Sequence, residues 1–240
     1  MTRTKTVWTA NVLTLFPEMF PGPLGHSLAG KALKEDVWSL QTLNIRSFAD
    51  DKHKIVDDTP FGGGAGMIMR PDIIDRALEH VSQSFGETDL PILYLTPRGL
   101  PLTQAKVKLL CTGNGVVIVC GRYEGIDQRA IGAWKMEEIS LGDFVMSGGE
   151  PGAISLIDAC VRLLPGVMGS DLSREEESFE EDLLEYPQYT RPRTWQKRLV
   201  PDVLLSGDHK NIRSWRKAEA EKITRERRPD LWDRYAASRD

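Results

Sequence analysis

The chain has 240 residues, of which 40% are hydrophobic and 28% charged, and its formal net charge is −4. This composition is typical of a water-soluble globular protein, and no apolar run approaches the roughly 18 residues of a membrane-spanning helix. The basic first residues precede a short apolar stretch without a small-residue cleavage site, which predicts a first strand and not a signal peptide. Three cysteines, without Cys or His at ligand spacing, indicate reduced thiols in a cytoplasmic protein.

The first 84 residues alternate between strand and helix patterns around one long loop. Residues 8–16 predict a strand, and residues 17–36 predict a helical stretch that proline and glycine interrupt. Alternating polarity predicts a second strand at 38–45, and a proline at a helix start predicts a helix from Pro71. The polar, glycine-rich segment at 49–69 is a loop of a length that in compact domains is usually functional or disordered.

Residues 91–166 predict apolar strands that alternate with helices. This order is typical of a parallel sheet with helices on both faces. "PILYLTP" predicts a buried strand that stops at its last proline, and "GVVIVCG" predicts another strand with an uninterrupted apolar run. The remaining segments are a helix at 102–112, a helix at 125–134, a strand and loop at 135–149, and a helix at 150–166.

The charge pattern changes towards the carboxyl terminus. Residues 171–185 carry eight acidic side chains and one basic one, whereas residues 191–228 carry twelve Lys or Arg and five Asp or Glu. The basic segment indicates a polyanionic partner, although a solvated charged helix explains it equally well. We therefore predict a large domain at 1–168, a flexible acidic linker at 169–190, and a small all-helical domain at 191–240.

Three predicted strands end in glycine or proline turns, "YLTPRG", "VCGRYEG" and "LGDFVMSGGE". Because α/β sheets bind ligands at the carboxyl ends of their strands, these loops are expected to converge on one crevice, unless they are three unrelated turns. None of the glycine clusters has the spacing of a dinucleotide-binding or P-loop motif, and no nucleophile elbow is present. The four histidines are scattered, so their spacing indicates neither a zinc site nor a Ser/His dyad.

Several motifs, in this order along the chain, resemble those of the bacterial tRNA (guanine-N1)-methyltransferases, which modify the guanine at position 37, next to the anticodon. The resemblance extends from about residue 8 to residue 235 and so covers nearly the whole chain. The motifs are "TLFPEMF", "VDDTPFGGGAGMIM", "YLTPRG", "VCGRYEGIDQR", "SLGDFVMSGGE", "LLPGVMG", "YPQYTRP" and "VLLSGDHKNIRSWR".

This resemblance implies an α/β fold of the SPOUT methyltransferase class, with a parallel sheet, a deep C-terminal trefoil knot and a homodimeric assembly. It also implies that the three loops hold S-adenosylmethionine as methyl donor. Two positions depart from the family pattern, because Arg98 replaces a common glutamine and Gly152 a common proline. The implied contacts with the methyl donor are Leu95, Thr96, Pro97, Gly121, Tyr123, Glu124, Leu141, Gly142, Asp143, Phe144, Val145, Met146, Gly148 and Gly149.

Methylation of guanine N1 requires a general base, because neutral guanine keeps a proton on N1. The base of the family is an aspartate, and the residue that aligns with it here is Glu177. The family's arginine partner aligns with Arg162, and a cation near O6 stabilises the negative charge that collects there. Glu175 or Glu176 would be the base if the register of the linker differs. Without the resemblance, Arg162 would be interpreted as a salt-bridging helix residue.

The resemblance further implies contacts with tRNA. Asp58 lies in a loop similar to one that closes over the substrate guanine, whereas Trp215 is expected to pack in a core and not to stack on a base. Mg²⁺ is implied for activity, but the sequence defines no ligand set, with Glu124 as one candidate. Two alternatives stay open, a non-catalytic tRNA-binding module and a knotted methyltransferase for another RNA position. The candidates for phosphate contacts are Arg191, Arg193, Lys210, Arg213, Arg216 and Lys217.

Overall fold

The computed structural model describes residues 7–84, 90–168, 177–179 and 181–239 of the chain. The chain forms two compact units, Met1–Gly169 and Ser170–Asp240. The sequence-based division into two domains and a linker stays a prediction, since residues 169–176 and 180 of that linker lie outside the described residues.

The first unit is built on a sheet of five parallel strands, in the order β2-β1-β6-β5-β7. The parallel sheet predicted from the alternation of apolar strands and helices is therefore confirmed. The strands of the unit are β1 (Trp8–Thr14), β2 (Trp38–Asn44), β3 (Asp57–Asp58), β4 (Ile68–Met69), β5 (Ile92–Pro101), β6 (Gly115–Val119) and β7 (Glu137–Ser140). The helices are α1 (Ser27–Lys34), α2 (Pro71–Gln83), α3 (Gln104–Thr112), α4 (Gln128–Ala133) and α5 (Glu150–Val161).

Helices cover both faces of this sheet. Strand β6 is buried along its whole length, and its side chains alternate between two separate apolar clusters. Val116 and Ile118 belong to the cluster that includes residues of α1, α3 and α5. Val117 and Val119 belong to the cluster that includes residues of α2 and α4. Burial on two faces explains why the sequence of β6 has no polar alternation.

The predicted stop of β5 at Pro97 is wrong. The strand pairs with β7 through Leu95 and again through Leu100, and both residues are opposite Ile139. Residues 96–99 therefore leave the ladder as an excursion between two paired segments. The turn residues of "TPRG" interrupt the pairing only locally. The strand resumes at Leu100 because the backbone of β7 pairs with it again beyond the turn.

Two other segments of the first unit differ from their predictions in extent. Of the helical stretch predicted at 17–36, only α1 is an α-helix, while Pro17–Met19 and Gly22–Gly25 form short 3₁₀ turns. The predicted loop at 49–69 contains the two-residue strands β3 and β4, which pair antiparallel. These strands hold together the two ends of the glycine-rich segment.

The described residues of the second unit include two α-helices, α6 (His209–Arg227) and α7 (Pro229–Ala237), a 3₁₀ turn at Asp202–Leu205, and a short antiparallel pair, β8 (Thr194–Trp195) and β9 (Arg198–Leu199). The predicted all-helical character is therefore wrong in this respect. Gln196 and Lys197 form the two-residue turn with positive φ angles of 48° and 62°. Glycine or asparagine is usual in such turns, so the sequence carried no hairpin signal.

Polar groups cap the amino terminus of α6 and join α6 to α7. The Asp208 carboxylate accepts hydrogen bonds from the backbone N–H groups of Lys210 and Asn211, which caps the amino terminus of α6. Tyr235 is buried, and its hydroxyl lies 2.7 Å from the Glu221 carboxylate. Because the ring is desolvated and the neighbouring carboxylate is negative, the pKa of Tyr235 is raised to about 12.

Two further findings concern the apolar character of the helices and the state of the cysteines. Among the described residues, none of the helices combines the length and the apolar character that a membrane span requires. All three cysteines are free thiols, with Cys120 and Cys160 buried and Cys111 partly exposed. The prediction of reduced thiols stays a prediction.

Truncation of Leu156 tests the packing of α5 on the sheet. Leu156 is fully buried, so Leu156→Ala is expected to lower the free energy of unfolding by about 2–5 kcal/mol through lost burial and a residual cavity. Leu109→Ala removes the same atoms from an exposed site on α3 and is expected to cost less than about 0.5 kcal/mol. Urea denaturation measures both values. Equal losses in the two variants would contradict the assignment of Leu156 to the core.

Candidate functional site

Three loops of the first unit meet around one cavity of ≈ 270 Å³. They are the excursion of β5 at 96–99, the loop after β6 at 120–127, and the loop between β7 and α5 at 141–149. The predicted convergence of the three motifs is therefore confirmed. Of the residues that the resemblance assigns to the methyl donor, all line the cavity except Asp143. Further lining residues are Tyr94, Arg98, Arg122, Gly125, Ile139, Ser140 and Ser147.

Two of the loops touch through their backbones. The N–H of Gly149 donates a hydrogen bond to the carbonyl oxygen of Gly121 at 3.0 Å. A Cβ atom on Gly149 would lie 2.8 Å from the Cα atom of Cys120, and one on Gly121 would lie 2.7 Å from the ring of Tyr94. Only glycine fits at both positions, because such approaches are shorter than real Cβ contacts.

The glycine-rich segment around β3 and β4 joins the rim of the cavity. The N–H of Glu124 donates to the carbonyl oxygen of Met67, and the N–H of Met69 donates to that of Gly125, both at 2.9 Å. Asp58 lies on β3 in the same segment and is exposed, and its carboxylate accepts a hydrogen bond from the N–H of Thr59. The structure thus connects the segment that carries Asp58 with the loop that follows β6.

The cavity presents unusual exposed apolar surface. Phe144 and Val145 are 55% and 84% exposed, and Tyr123 is half exposed with a left-handed φ of 57°. Apolar side chains clustered at one concave site indicate a ligand that covers them. The glycine backbones beside them supply polar groups, so the site can hold a ligand with both apolar and hydrogen-bonding parts.

A buried ion pair lies beside the cavity. The Arg122 guanidinium is 2.8 Å from the carboxylate of Glu150, a fully buried residue. The Thr14 hydroxyl donates a hydrogen bond to the same carboxylate at 2.7 Å. Burial and the negative charge of Glu150 raise the pKa of the Cys120 thiol well above its ordinary value. Burial likewise raises the pKa of Tyr94. Both groups are therefore neutral at pH 7.

The predicted catalytic pair is divided between the two units. Arg162 directly follows α5 in the first unit and is partly buried, and Glu177 lies in the second unit and is also partly buried. The alternative bases, Glu175 and Glu176, lie outside the described residues. The roles of Glu177 and Arg162 stay predictions.

Most of the predicted phosphate-contact residues are exposed on the second unit. Arg216 is partly buried, with its guanidinium 4.9 Å from the ring centre of Tyr186. Trp215 is also partly buried and lies 6.2 Å, ring centre to ring centre, from Tyr189. The exposed members of the set are Arg191, Arg193, Lys210, Arg213 and Lys217.

Within the part of the chain that the structure describes, no three His, Cys, Asp or Glu side chains are grouped so that they could hold a metal ion. Glu124, the sequence-based candidate for magnesium, is exposed at the rim of the cavity. The described residues thus offer no ligand set for magnesium, and its site stays undefined.

Two residues that shape the site, Arg122 and Glu150, were missed by sequence reasoning as site residues. Both lie within motifs of the resemblance, "VCGRYEGIDQR" and "SLGDFVMSGGE". An acidic residue in the first turn of a helix is common on surfaces, so its identity did not indicate burial. The available signal was the apolar run "GVVI" before the first motif and the largely apolar helix after the second.

Comparison with known proteins shows close relatives. Residues 8–234 match the family model described as tRNA (Guanine-1)-methyltransferase TrmD. A tRNA (guanine-N(1)-)-methyltransferase of Zymomonas mobilis subsp. mobilis is 58% identical over 95% of this chain and 91% of its own length. A protein of the same name from Chelativorans sp. is 61% identical over 94% of this chain and 95% of its own length. One from Rhizorhabdus wittichii is 58% identical over 97% of this chain and 94% of its own length.

Alanine at Gly149 tests the backbone contact that shapes the cavity. Gly149→Ala is expected to lower the free energy of unfolding by about 1–3 kcal/mol, because the new Cβ atom meets the backbone of Cys120. Gly132→Ala is the matched control in α4, where a Cβ atom meets nothing within 4 Å. It is expected to stabilise the protein by about 0.5–1 kcal/mol. Thermal denaturation of both variants checks the opposite signs.

Proposed function

The chain belongs to the tRNA (guanine-1)-methyltransferase family, and from this premise we propose that it transfers a methyl group from S-adenosylmethionine to N1 of guanine 37 in tRNA. The observation that carries the proposal is the coincidence of two independent results. The family match covers residues 8–234, and the three motifs that resemble the family's donor site surround one cavity. The chemistry of that cavity supports the choice of donor.

S-adenosylmethionine supplies a methyl group that its sulfonium charge has already activated. The cavity is suited to such a molecule because it combines exposed apolar side chains with glycine backbones that a ligand can approach closely. Phe144 and Val145 would cover apolar parts of the ligand, while backbone groups near Gly121 and Gly149 would orient its polar parts. We therefore assign donor binding to the first unit.

The protein's chemical task is to make guanine N1 nucleophilic. In the proposed reaction, the Glu177 carboxylate accepts the N1 proton as N1 attacks the methyl carbon and the carbon–sulfur bond breaks. Glutamate replaces the family's aspartate here, but the reference pKa values of about 3.9 and 4.3 make both side chains competent as bases. The longer side chain changes the reach of the carboxylate more than its basicity.

Arg162 has the complementary role in this proposal. When N1 loses its proton, negative charge collects on O6 of the base, and a guanidinium near O6 lowers the energy of that state. Arg162 immediately follows α5, the helix whose amino terminus borders the cavity at Gly149. Because Arg162 lies at the end of α5 opposite the cavity, its cation is assigned, as in the family, to the guanine and not to the donor.

The second unit is proposed to bind tRNA. It carries the exposed basic residues, and side chains of this type contact phosphate groups without specifying the sequence. Asp58 is proposed to contact the substrate guanine from the segment that joins the rim of the cavity. Release of counterions from the phosphates should make tRNA binding weaker as salt increases.

Other features of the family remain part of the proposal. The SPOUT class, the C-terminal trefoil knot, the homodimer, the cytoplasmic location and the need for Mg²⁺ follow from the family resemblance. The parallel order β2-β1-β6-β5-β7 is compatible with that class. No step above passes through magnesium, because the described residues define no site for it.

Methyl transfer to defined transcripts tests the proposed activity and its position. With labelled S-adenosylmethionine, a tRNA transcript that has guanine at position 37 is expected to take up label, and one with adenine there is not. The reason is recognition, since adenine presents an amino donor to Arg162 where guanine has the acceptor O6, and adenine N1 has no N–H to donate to Glu177. Equal labelling of both transcripts, or none of either, would contradict the proposal.

Substitution of Glu177 tests the identity of the base. Glu177→Gln keeps the size of the side chain but removes its basicity, so turnover is expected to fall by about 10²–10⁴-fold. The affinity for S-adenosylmethionine should stay nearly unchanged. Glu175→Gln and Glu176→Gln are the register controls, and Glu181→Gln is a nearby exposed control. Full activity of Glu177→Gln, with loss in one of its neighbours, would move the base to that neighbour.

A further inference from the structure

Glu150 occupies an unusual place for a carboxylate. Of the side chains described, it is the one charged group that is buried, with 0% of its surface exposed. It is the first residue of α5, directly after Gly149 at the wall of the cavity. A buried charge is unfavourable unless partners compensate it. The partners of Glu150 should therefore reveal why the chain keeps a carboxylate at this position.

Two side chains from other elements hold this carboxylate. Thr14, at the end of β1, donates its hydroxyl to one oxygen at 2.7 Å. The guanidinium of Arg122, from the loop after β6, lies 2.8 Å from the other oxygen. Replacing a buried ion pair by apolar side chains often leaves a protein equally or more stable. Stability alone is thus a weak explanation for this arrangement.

Arg122 connects Glu150 with two walls of the cavity. Its guanidinium donates to the carbonyl oxygen of Ser147 at 3.2 Å and lies 4.4 Å from the ring centre of Phe16. Arg122 and Ser147 both line the cavity, and they belong to the loops after β6 and β7. The side chain therefore bridges these two loops, while Glu150 fixes the charged end of the bridge.

The loop sequence leaves room for this bridge. A Cβ atom on Gly148 would overlap the guanidinium of Arg122, so any larger residue would displace it. The same loop continues into Gly149, whose N–H bonds to Gly121. One backbone contact and one side-chain bridge thus fix the separation of the two loops.

We infer that Glu150, acting through Arg122, is a positioning residue that sets the separation of the two cavity loops and thereby the affinity for the methyl donor. The inference rests on the proposed function, because it takes S-adenosylmethionine as the ligand of the cavity. Glu150 touches no reacting atom in this scheme. Its loss should therefore affect binding of the donor more than the chemical step.

Binding of S-adenosylmethionine, measured by isothermal titration calorimetry on the full chain, tests this role. Glu150→Gln and Arg122→Lys are each expected to weaken the affinity by about tenfold or more, as expected when one member of a coupled pair is changed. Thr14→Val, which removes the hydroxyl, should weaken the affinity less. Thr14→Ser, which keeps the hydroxyl, should leave the affinity close to that of the wild-type chain. Glu35→Gln is the matched control, since Glu35 forms only an exposed i,i+4 pair with Lys31.

Kinetics separate positioning from a general loss of structure. At saturating tRNA, the expected pattern is a higher KM for S-adenosylmethionine with a smaller change in kcat. A purely structural role would lower the binding stoichiometry and kcat while leaving the Kd of the folded molecules unchanged. That second pattern would overturn the inference.

The outcomes also distinguish this inference from the proposed function. If the wild-type chain binds S-adenosylmethionine and all the variants bind it within about twofold, the inference fails and the proposed function stands. If the wild-type chain does not bind S-adenosylmethionine, both fail together. Should Glu150→Gln not fold, unchanged Kd values in Arg122→Lys and Thr14→Val would overturn the inference.

Discussion

The backbone contact between Gly149 and Gly121 is the constraint on which the candidate site depends. It joins the loop after β6 to the loop before α5, and a Cβ atom on Gly149 would meet the backbone of Cys120 at this approach, while one on Gly121 would meet the ring of Tyr94. Because β6 is central in the sheet and α5 packs on one of its faces, the contact fixes the helix, the strand and the cavity wall together. The shape of the cavity therefore depends on the packing of the core as well as on the residues that line it.

The charged groups of the two units are used in opposite ways. In the first unit, the Glu150 carboxylate is fully buried and Arg122 largely so, and their mutual attraction and the Thr14 hydroxyl offset part of the cost of removing the pair from water. In the second unit, Arg191, Lys210 and Lys217 are exposed and hydrated, so their attraction for a polyanion is long-ranged and sensitive to salt. The enclosed charges are thus proposed to set a geometry, and the exposed charges to attract tRNA.

The sequence predicted much of the fold because burial leaves a simple pattern. The uninterrupted apolar run of β6 indicated a strand buried on both faces, and the turns after the predicted strands indicated a common crevice. It failed where the outcome depended on a neighbour in space. Strand β5 continues beyond Pro97 because β7 pairs with it on both sides of the excursion, and Gln196–Lys197 forms a hairpin turn without glycine. The burial of Glu150 was missed for the same reason, since its partners are far away in the sequence.

Gly149 and Glu177 are expected to differ in how readily each position tolerates another residue. At Gly149 even one added carbon meets the backbone of Cys120, and the sheet and α5 hold that backbone in place. At position 177, in the second unit, the resemblance aligns glutamate with the family's aspartate, and the side chain of Glu177 is only partly buried. A base needs a suitable pKa and sufficient reach, and an added methylene leaves the pKa almost unchanged. We therefore expect a different residue to be tolerated more readily at the proposed base than at the glycines whose backbones shape the proposed donor cavity.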